Sequence, residues 1–189
     1  AFCADKSDRF LFLGKISPEK GVHLAIQYCA ELGVPLDIVG GLIPSEYASP
    51  YLQRIQILVF NAQNHGHDIQ FHFNVTEDAK IRFLQRARAV LYPVQQDEAH
   101  WLVGVEALSC GTPCLTFARG ALPSLNWWPS VDSENRFKEW MVALTKSPEE
   151  DRQVSYEALR SIARLEFDRR RIVSRYLGLY QEVAQGKRW

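Results

Sequence analysis

The chain has 189 residues, and its 47% hydrophobic and 23% charged residues are typical of an ordinary soluble globular domain. We therefore expect a single domain over residues 1–189. Twenty-two Lys and Arg residues balance 22 Asp and Glu residues, so no excess charge favours nucleic acid or an acidic membrane surface, and we expect no nucleic acid partner. Any site for an anion must be local.

The cysteines and the apolar runs indicate where such a protein works. Cys3, Cys29, Cys110 and Cys114 are not paired as C-x-x-C, and we interpret them as reduced structural thiols, which favours a cytoplasmic location. No apolar run approaches the about 20 residues of a membrane-spanning helix. We find no basic-then-apolar leader, but the chain does not begin with Met, so membrane association stays open.

Strands and helices are predicted to alternate along the chain. Apolar runs of strand length lie at residues 9–14, 35–41, 69–73, 89–92 and 114–117. Segments with helical apolar spacing follow them, from Pro18 to Gly33, after Ser45, from a cap at Thr76, and from about His100. This order predicts an α/β fold, a Rossmann-like parallel sheet with helices on both faces. About residues 133–189 are predicted to form three closing helices.

Turn residues follow each predicted strand. In parallel sheets covered on both faces, ligands bind at the carboxyl ends of the strands. We therefore expect one shared rim, formed by Gly14, Gly40 and Gly41, Asn74, residues 93–98, and Arg119 with Gly120.

Two lysines flank the first strand-to-helix turn of this rim. A diphosphate there would meet Lys15 from the loop, Lys20 from the first helical turn, and the positive end of the helix dipole. The alternative is that both are solvated surface lysines.

Two carboxylates, Glu98 and Glu106, are separated by seven residues and fall just before and along the helix predicted from His100. Both could be exposed surface acids. However, Glu106 lies on a mostly apolar helix, where burying a carboxylate without a partner is costly. A ribose diol, with two hydroxyl donors, would be a suitable ligand for it.

Other clusters of chemically active side chains favour structural interpretations. His65, His67 and His72 lack an acidic or thiol companion at ligand spacing, so no metal site is predicted. The aromatic residues Trp127, Trp128 and Trp140 are interpreted as core or interface.

Three segments together resemble a known family. They are residues 12–21, the Glu98 and Glu106 pair, and residues 106–113 with the sequence EALSCGTP. They look like the C-terminal, donor-binding domain of the retaining glycosyltransferases of the group 1 family, which have the GT-B fold. Residues 167–180 also resemble the closing helix of that family, so the resemblance covers nearly the whole chain.

The resemblance implies a nucleotide-sugar donor at the strand ends. It makes Glu98 the catalytic residue, which would contact and orient the donor sugar, and assigns the ribose hydroxyls to Glu106. The remaining donor-binding positions would hold the diphosphate or lie near the base, and they are Gly14, Lys15, Lys20, Val75, Trp101, Leu102 and Val103. Such enzymes generally transfer the sugar, here expected to be a hexose, with retention and without a metal or other cofactor.

The same resemblance implies a missing partner. GT-B enzymes form their active site between two domains, and the N-terminal acceptor-binding domain is absent from this chain, which should bind donor without catalysing transfer alone. The alternative is a degenerate, non-catalytic binding or assembly module with Trp101 filling the phosphate position.

The sequence also departs from the family pattern. His100 and Trp101 stand where Phe-Gly is usual, Asn74 and Ala121 replace glycines, Ser124 replaces a common Glu, and Lys15 replaces Arg.

Overall fold

A single sheet of parallel strands forms the centre of the fold in the computed structural model, which describes residues 2–3, 5–41 and 49–187. Its strands are β1 (Phe10–Leu13), β2 (Leu36–Gly40), β3 (Ile69–Phe73), β4 (Val90–Tyr92), β5 (Cys114–Phe117) and β6 (Ser130–Val131). They lie in the order β3-β2-β1-β4-β5-β6, and every neighbouring pair is parallel. The strand order therefore reverses between β1 and β4, which is where ligands bind in such sheets.

Helices cover both faces of the sheet. They are α1 (Val22–Leu32), α2 (Pro50–Asn64), α3 (Glu77–Arg86), α4 (Leu102–Ser109), α5 (Glu134–Lys146), α6 (Glu149–Phe167) and α7 (Arg169–Ala184). Alternate residues of β1 enter two separate hydrophobic clusters, with Phe10 and Phe12 in one and Leu11 and Leu13 in the other. Residues of α1, α2 and α5 belong to the first cluster and residues of α3, α4 and α6 to the second. The predicted two-sided α/β fold is confirmed.

Two helices begin later than the sequence predicts. The helix expected from Pro18 begins at Val22, because Gly21 has φ +75° and interrupts it, leaving a short 3₁₀ turn over Pro18–Lys20. The helix expected from about His100 begins at Leu102. The start of the segment predicted to be helical after Ser45 lies outside the described residues.

Side-chain caps are seen at two helix starts, and one of them is the cap predicted at Thr76. The Thr76 side chain accepts a hydrogen bond from the backbone N–H of Ala79, 3.3 Å away. Asp168 accepts bonds from the N–H groups of Arg170 and Arg171. Three helices close the chain, as expected, and in the described part of the chain none of the helices has the length and apolar character to cross a membrane.

Candidate functional site

Three loops meet at the carboxyl ends of β1, β4 and β5, and we call them the ligand rim (residues 14–21, 93–101 and 118–121). The first two are joined by a hydrogen bond of 2.8 Å from the backbone N–H of Gln95 to the carbonyl oxygen of Glu19. They also touch at Gly21, where an added Cβ would lie 1.9 Å from the carbonyl oxygen of Pro93. Only glycine fits so close an approach at a positive φ.

The third loop of the ligand rim supports the backbone around Glu98. Gly120 donates its N–H to Asp97 Oδ1 at 2.9 Å, and Ala121 donates its N–H to the carbonyl oxygen of Glu98 at 2.8 Å. Gly120 has φ +56°, and a Cβ there would lie 2.5 Å from the same carbonyl. Ala121 has φ −82°, so this position does not need the glycine that the family usually has. The hydroxyl of Ser124 donates to the carbonyl oxygen of Ala121 at 2.7 Å and extends this support.

The side chain of Glu98 is only 12% exposed, and one of its two carboxylate oxygens has three partners. Its Oε1 accepts hydrogen bonds from Lys20 Nζ, from the Tyr92 hydroxyl at 2.8 Å, and from Gln96 at 3.2 Å. Burial by itself would raise the pKa of Glu98, but the hydrogen bonds from these three groups outweigh it and lower that pKa. Glu98 is therefore a carboxylate at neutral pH. The structure brings Lys20 and Glu98 together, which strand order alone had only suggested.

Tyr92 was not identified from the sequence as a site residue. It ends β4, and its hydroxyl both donates to Glu98 and accepts from Lys20 Nζ at 3.0 Å. Burial, and then the bond with Glu98, raise the pKa of Tyr92, so the hydroxyl remains a donor. Its position at the carboxyl end of a central strand was the signal that could have identified it.

The side chain of Trp101, the last residue of its rim loop, packs into the core. Its ring stacks on Tyr92, with centroids 4.5 Å apart and planes 7° from parallel, and it meets Trp128 edge-on. A Cβ at Gly104 would lie 2.5 Å from the indole, so a glycine on α4 makes room for it. The side chain belongs to the second hydrophobic cluster rather than to an open phosphate position.

The first turn of α4 faces the ligand rim without a side-chain cap. Trp101 is its N-cap residue, in an extended conformation, and its side chain makes no capping hydrogen bond. The first backbone N–H groups of a helix have no partner within the helix, so those of Leu102 and Val103 can bind an anion. Leu102 is 71% exposed, which places this turn at the surface.

Glu106 points to a different neighbour from Glu98. It is 42% exposed on its side chain, and its Oε1 lies 2.9 Å from Nζ of Lys80 on α3. Lys80 also pairs with Glu77 at 2.8 Å. Burial would lower the pKa of Lys80, but the two carboxylates outweigh it and raise that pKa. The partner expected for Glu106 is therefore Lys80, which was not identified from the sequence. The spacing of three residues between Glu77 and Lys80 on a helix was visible there.

Asn74 and Val75 form the turn between β3 and α3. Asn74 has φ +46°, the left-handed conformation that Asn tolerates better than most residues, and this explains how it replaces the usual glycine. Val75 is half-buried against the second hydrophobic cluster. At the end of β1, on the same side of the switch point, Gly14 donates its N–H to the carbonyl oxygen of Val39 at 3.1 Å, and Lys15 is exposed beside it.

The histidine and tryptophan clusters lie away from the ligand rim or in the core. His72 Nε2 lies 2.9 Å from Asp37 Oδ1, whereas His65 Nδ1 lies 2.7 Å from the carbonyl oxygen of Asn61. Within the described ranges, no three His, Cys, Asp or Glu side chains come together as a metal centre would need. Trp127 and Trp128 are in contact, but Trp140 is 40% exposed on α5 and does not join their cluster.

Solved structures share this fold. Sucrose-phosphate synthase from Thermosynechococcus elongatus is similar with a TM-score of 0.78 and 20% identity, over 97% of this chain and 47% of that chain. Anabaena Alr3699/HepE in complex with UDP has a TM-score of 0.74 and 16% identity, over 95% of this chain and 49% of that one. The chain therefore spans about half the length of these two proteins. A comparison with curated proteins gives no match.

A shorter solved structure is matched over most of its length. It is the C-terminal domain of a group 1 family glycosyl transferase (LpcC) from Francisella tularensis, with a TM-score of 0.67 and 14% identity, over 86% of this chain and 87% of that one. These likenesses establish the GT-B type of fold. The model of the family described as glycosyl transferases group 1 matches residues 3–126, which is more than half of the chain. This protein therefore belongs to the group 1 glycosyltransferase family.

Proposed function

We propose that this chain is the nucleotide-sugar-binding half of a retaining glycosyltransferase that transfers a hexose from a nucleotide-diphosphate sugar to an acceptor. One observation carries the proposal: the side chains of Lys20 and Glu98, 78 residues apart in sequence, meet on the ligand rim, where α4 begins without a side-chain cap. Cations, an ionised carboxylate and free helix N–H groups are the groups that a sugar diphosphate needs.

The proposed roles follow from charge and position. Lys15, Lys20 and the N–H groups of Leu102 and Val103 bind the diphosphate. Glu106, held by Lys80 at 2.9 Å, binds the ribose hydroxyls, and Val75 lies near the base. Gly14 lets the donor approach the backbone after β1. Trp101 contributes through its backbone and supports Tyr92 from the core.

The proposed reaction exchanges one bond at the anomeric carbon for another. The bond to the diphosphate oxygen breaks, and its electron pair leaves with the diphosphate. The oxygen of an acceptor hydroxyl forms the new bond on the same face and gives its proton to the departing diphosphate. Fixed cations and the N-terminus of α4 stabilise the charge on the leaving group, which is electrostatic catalysis without a protein nucleophile. Glu98, ionised and partnered, orients the sugar, and no metal is needed for this arrangement.

An acceptor-binding domain is part of the proposal. Both larger structural relatives are about twice as long as the segment that this chain matches. We propose that an N-terminal domain of the same protein supplies the acceptor site, and that the chain alone binds donor without transferring sugar.

Calorimetry with a panel of nucleoside diphosphates tests the proposal. At least one should bind, and Lys20→Ala and Glu106→Ala should each weaken it by about tenfold, since each removes a charge-assisted contact. Lys138→Ala is the matched control, because Lys138 is similarly half-buried and pairs with Glu31 at 2.9 Å away from the ligand rim. A folded wild-type chain that binds no member of the panel refutes the proposal.

That negative outcome would favour a degenerate binding or assembly module. The observation behind this second candidate is that Glu98 already neutralises Lys20 directly, so the ligand rim holds one cation fewer for a diphosphate. Saturable nucleotide binding that depends on Lys20 would exclude it.

A further inference from the structure

A cavity of about 520 Å³ lies toward the amino ends of the strands, whereas the ligand rim lies at their carboxyl ends. Arg9, just before β1, and Arg86, which ends α3, both line it. The backbone N–H of Ser7 bonds the carbonyl oxygen of Arg86 at 2.7 Å, so the end of α3 is fixed beside the start of β1. Most of the cavity lining therefore lies toward the amino ends of the strands, away from the ligand rim. Its volume lies in the range of small-molecule pockets.

The cavity has apolar walls and a charged mouth. Leu11 from β1 and Phe83 from α3 line it, while Asp37 contributes a carboxylate from β2. That carboxylate is already occupied, because Oδ2 pairs with Arg9 Nε at 2.9 Å and Oδ1 lies 2.9 Å from His72 Nε2. Arg9 in turn also pairs with Asp68. The carboxylates of Asp37 and Asp68 therefore each already have a side-chain partner.

Two further arginines at the cavity, Arg82 and Arg86, have no carboxylate partner among the described residues. Both lie on α3, four residues apart, so they are neighbours on one face of the helix. Neither forms an ion pair within the described part of the chain. Like charges at this spacing destabilise a helix, and an anion between them would reverse that effect. Guanidinium groups suit the planar, bidentate recognition of phosphate oxygens.

We propose that this cavity binds an organic phosphate, with its phosphate group between Arg82 and Arg86 and its apolar body against Leu11 and Phe83. The combination of two unpaired guanidinium groups with an apolar wall selects a phosphomonoester over free phosphate, because only the ester covers the wall. The site is independent of the donor site and does not rest on the proposed transferase activity. The helix α3 contributes residues to both sites, since Lys80 pairs with Glu106 and the two arginines line the cavity.

Titration of the isotope-labelled chain with phenyl phosphate, followed by amide and guanidinium NMR signals, tests the proposal. Saturable shifts should appear at Arg82 and Arg86, and inorganic phosphate should bind about tenfold more weakly, since it leaves the apolar wall exposed.

A pair of double variants separates this site from general attraction of anions to arginine. Arg82→Gln with Arg86→Gln should weaken phenyl phosphate binding by about tenfold or more, because two charge-assisted contacts are lost. Arg171→Gln with Arg175→Gln removes two arginines at the same spacing on α7 and should leave binding unchanged. Equal weakening in both variants, equal affinity for inorganic phosphate, or the absence of saturable shifts in the folded chain would each overturn the proposal.

Discussion

Replacement of Gly21 by Ala should destabilise the protein through the contact between two loops of the ligand rim. The new methyl group would stand 1.9 Å from the carbonyl oxygen of Pro93, a backbone atom that cannot rotate away. Gly21 also has φ +75°, which is unfavourable for any residue with a Cβ. The loop after β4 must therefore shift, and the hydrogen bond from Gln95 to Glu19 is the first interaction to be stretched.

Gly33→Ala provides a matched comparison. Gly33 has φ +63° at the end of α1, but a Cβ there meets no atom within 4 Å. That variant should lower the unfolding free energy by only about 1–2 kcal/mol, the cost of the left-handed backbone conformation for a residue with a Cβ. Gly21→Ala should cost that amount plus an overpacking term of about 1–3 kcal/mol.

Urea denaturation followed by circular dichroism measures both variants. The difference in unfolding free energy between Gly21→Ala and Gly33→Ala isolates the contact with Pro93. If the two variants lose the same stability within about 0.5 kcal/mol, which is the usual error of additivity, the loop contact does not hold the ligand rim together.

Two further predictions concern titration and thiol chemistry. Tyr92→Phe should raise the pKa of Glu98 and cost about 1 kcal/mol at neutral pH. The folded state lowers the pKa of Glu98, so the stabilisation from this carboxylate is present above the unfolded-state pKa and is lost as pH falls through the folded-state pKa. Denaturation at several pH values should therefore show that the variant's loss of unfolding free energy shrinks in acid. A loss that stays constant with pH would contradict this. Burial raises the pKa of the Cys29 and Cys114 thiols, so at pH 8 a thiol reagent should modify the partly exposed Cys3 first. Rapid modification of two or more thiols in the native protein would contradict this prediction.

Local sequence patterns predicted most of the elements, because those patterns reflect local physics. The apolar run ending at Gly14 gave β1, and the Thr76 cap gave the start of α3. The two-residue strand β6 was missed, since so short a segment has no periodicity to detect. Gly21 was visible in the sequence, but its role in interrupting the helix depends on its contact with Pro93.

The candidate site was predictable in its location and less so in its contacts. Parallel strands bring Lys20 and Glu98 to one rim by topology alone. The hydroxyl of Tyr92 between them, and the pairing of Lys80 with Glu106, depend on the twist and register that bring distant loops together. Such contacts leave no periodic trace in a single sequence.

The ion pair between Lys20 and Glu98 also has a consequence for the order of folding. The two residues are 78 positions apart, and Lys20 and Tyr92 are 72 apart, so the pair can form only after a long loop has closed. The entropy of that closure must be lost before the contact contributes any stability. We therefore expect the ligand rim to form late, after β1 and β4 have come together. The proposed nucleotide binding would then report completion of the sheet rather than its early growth.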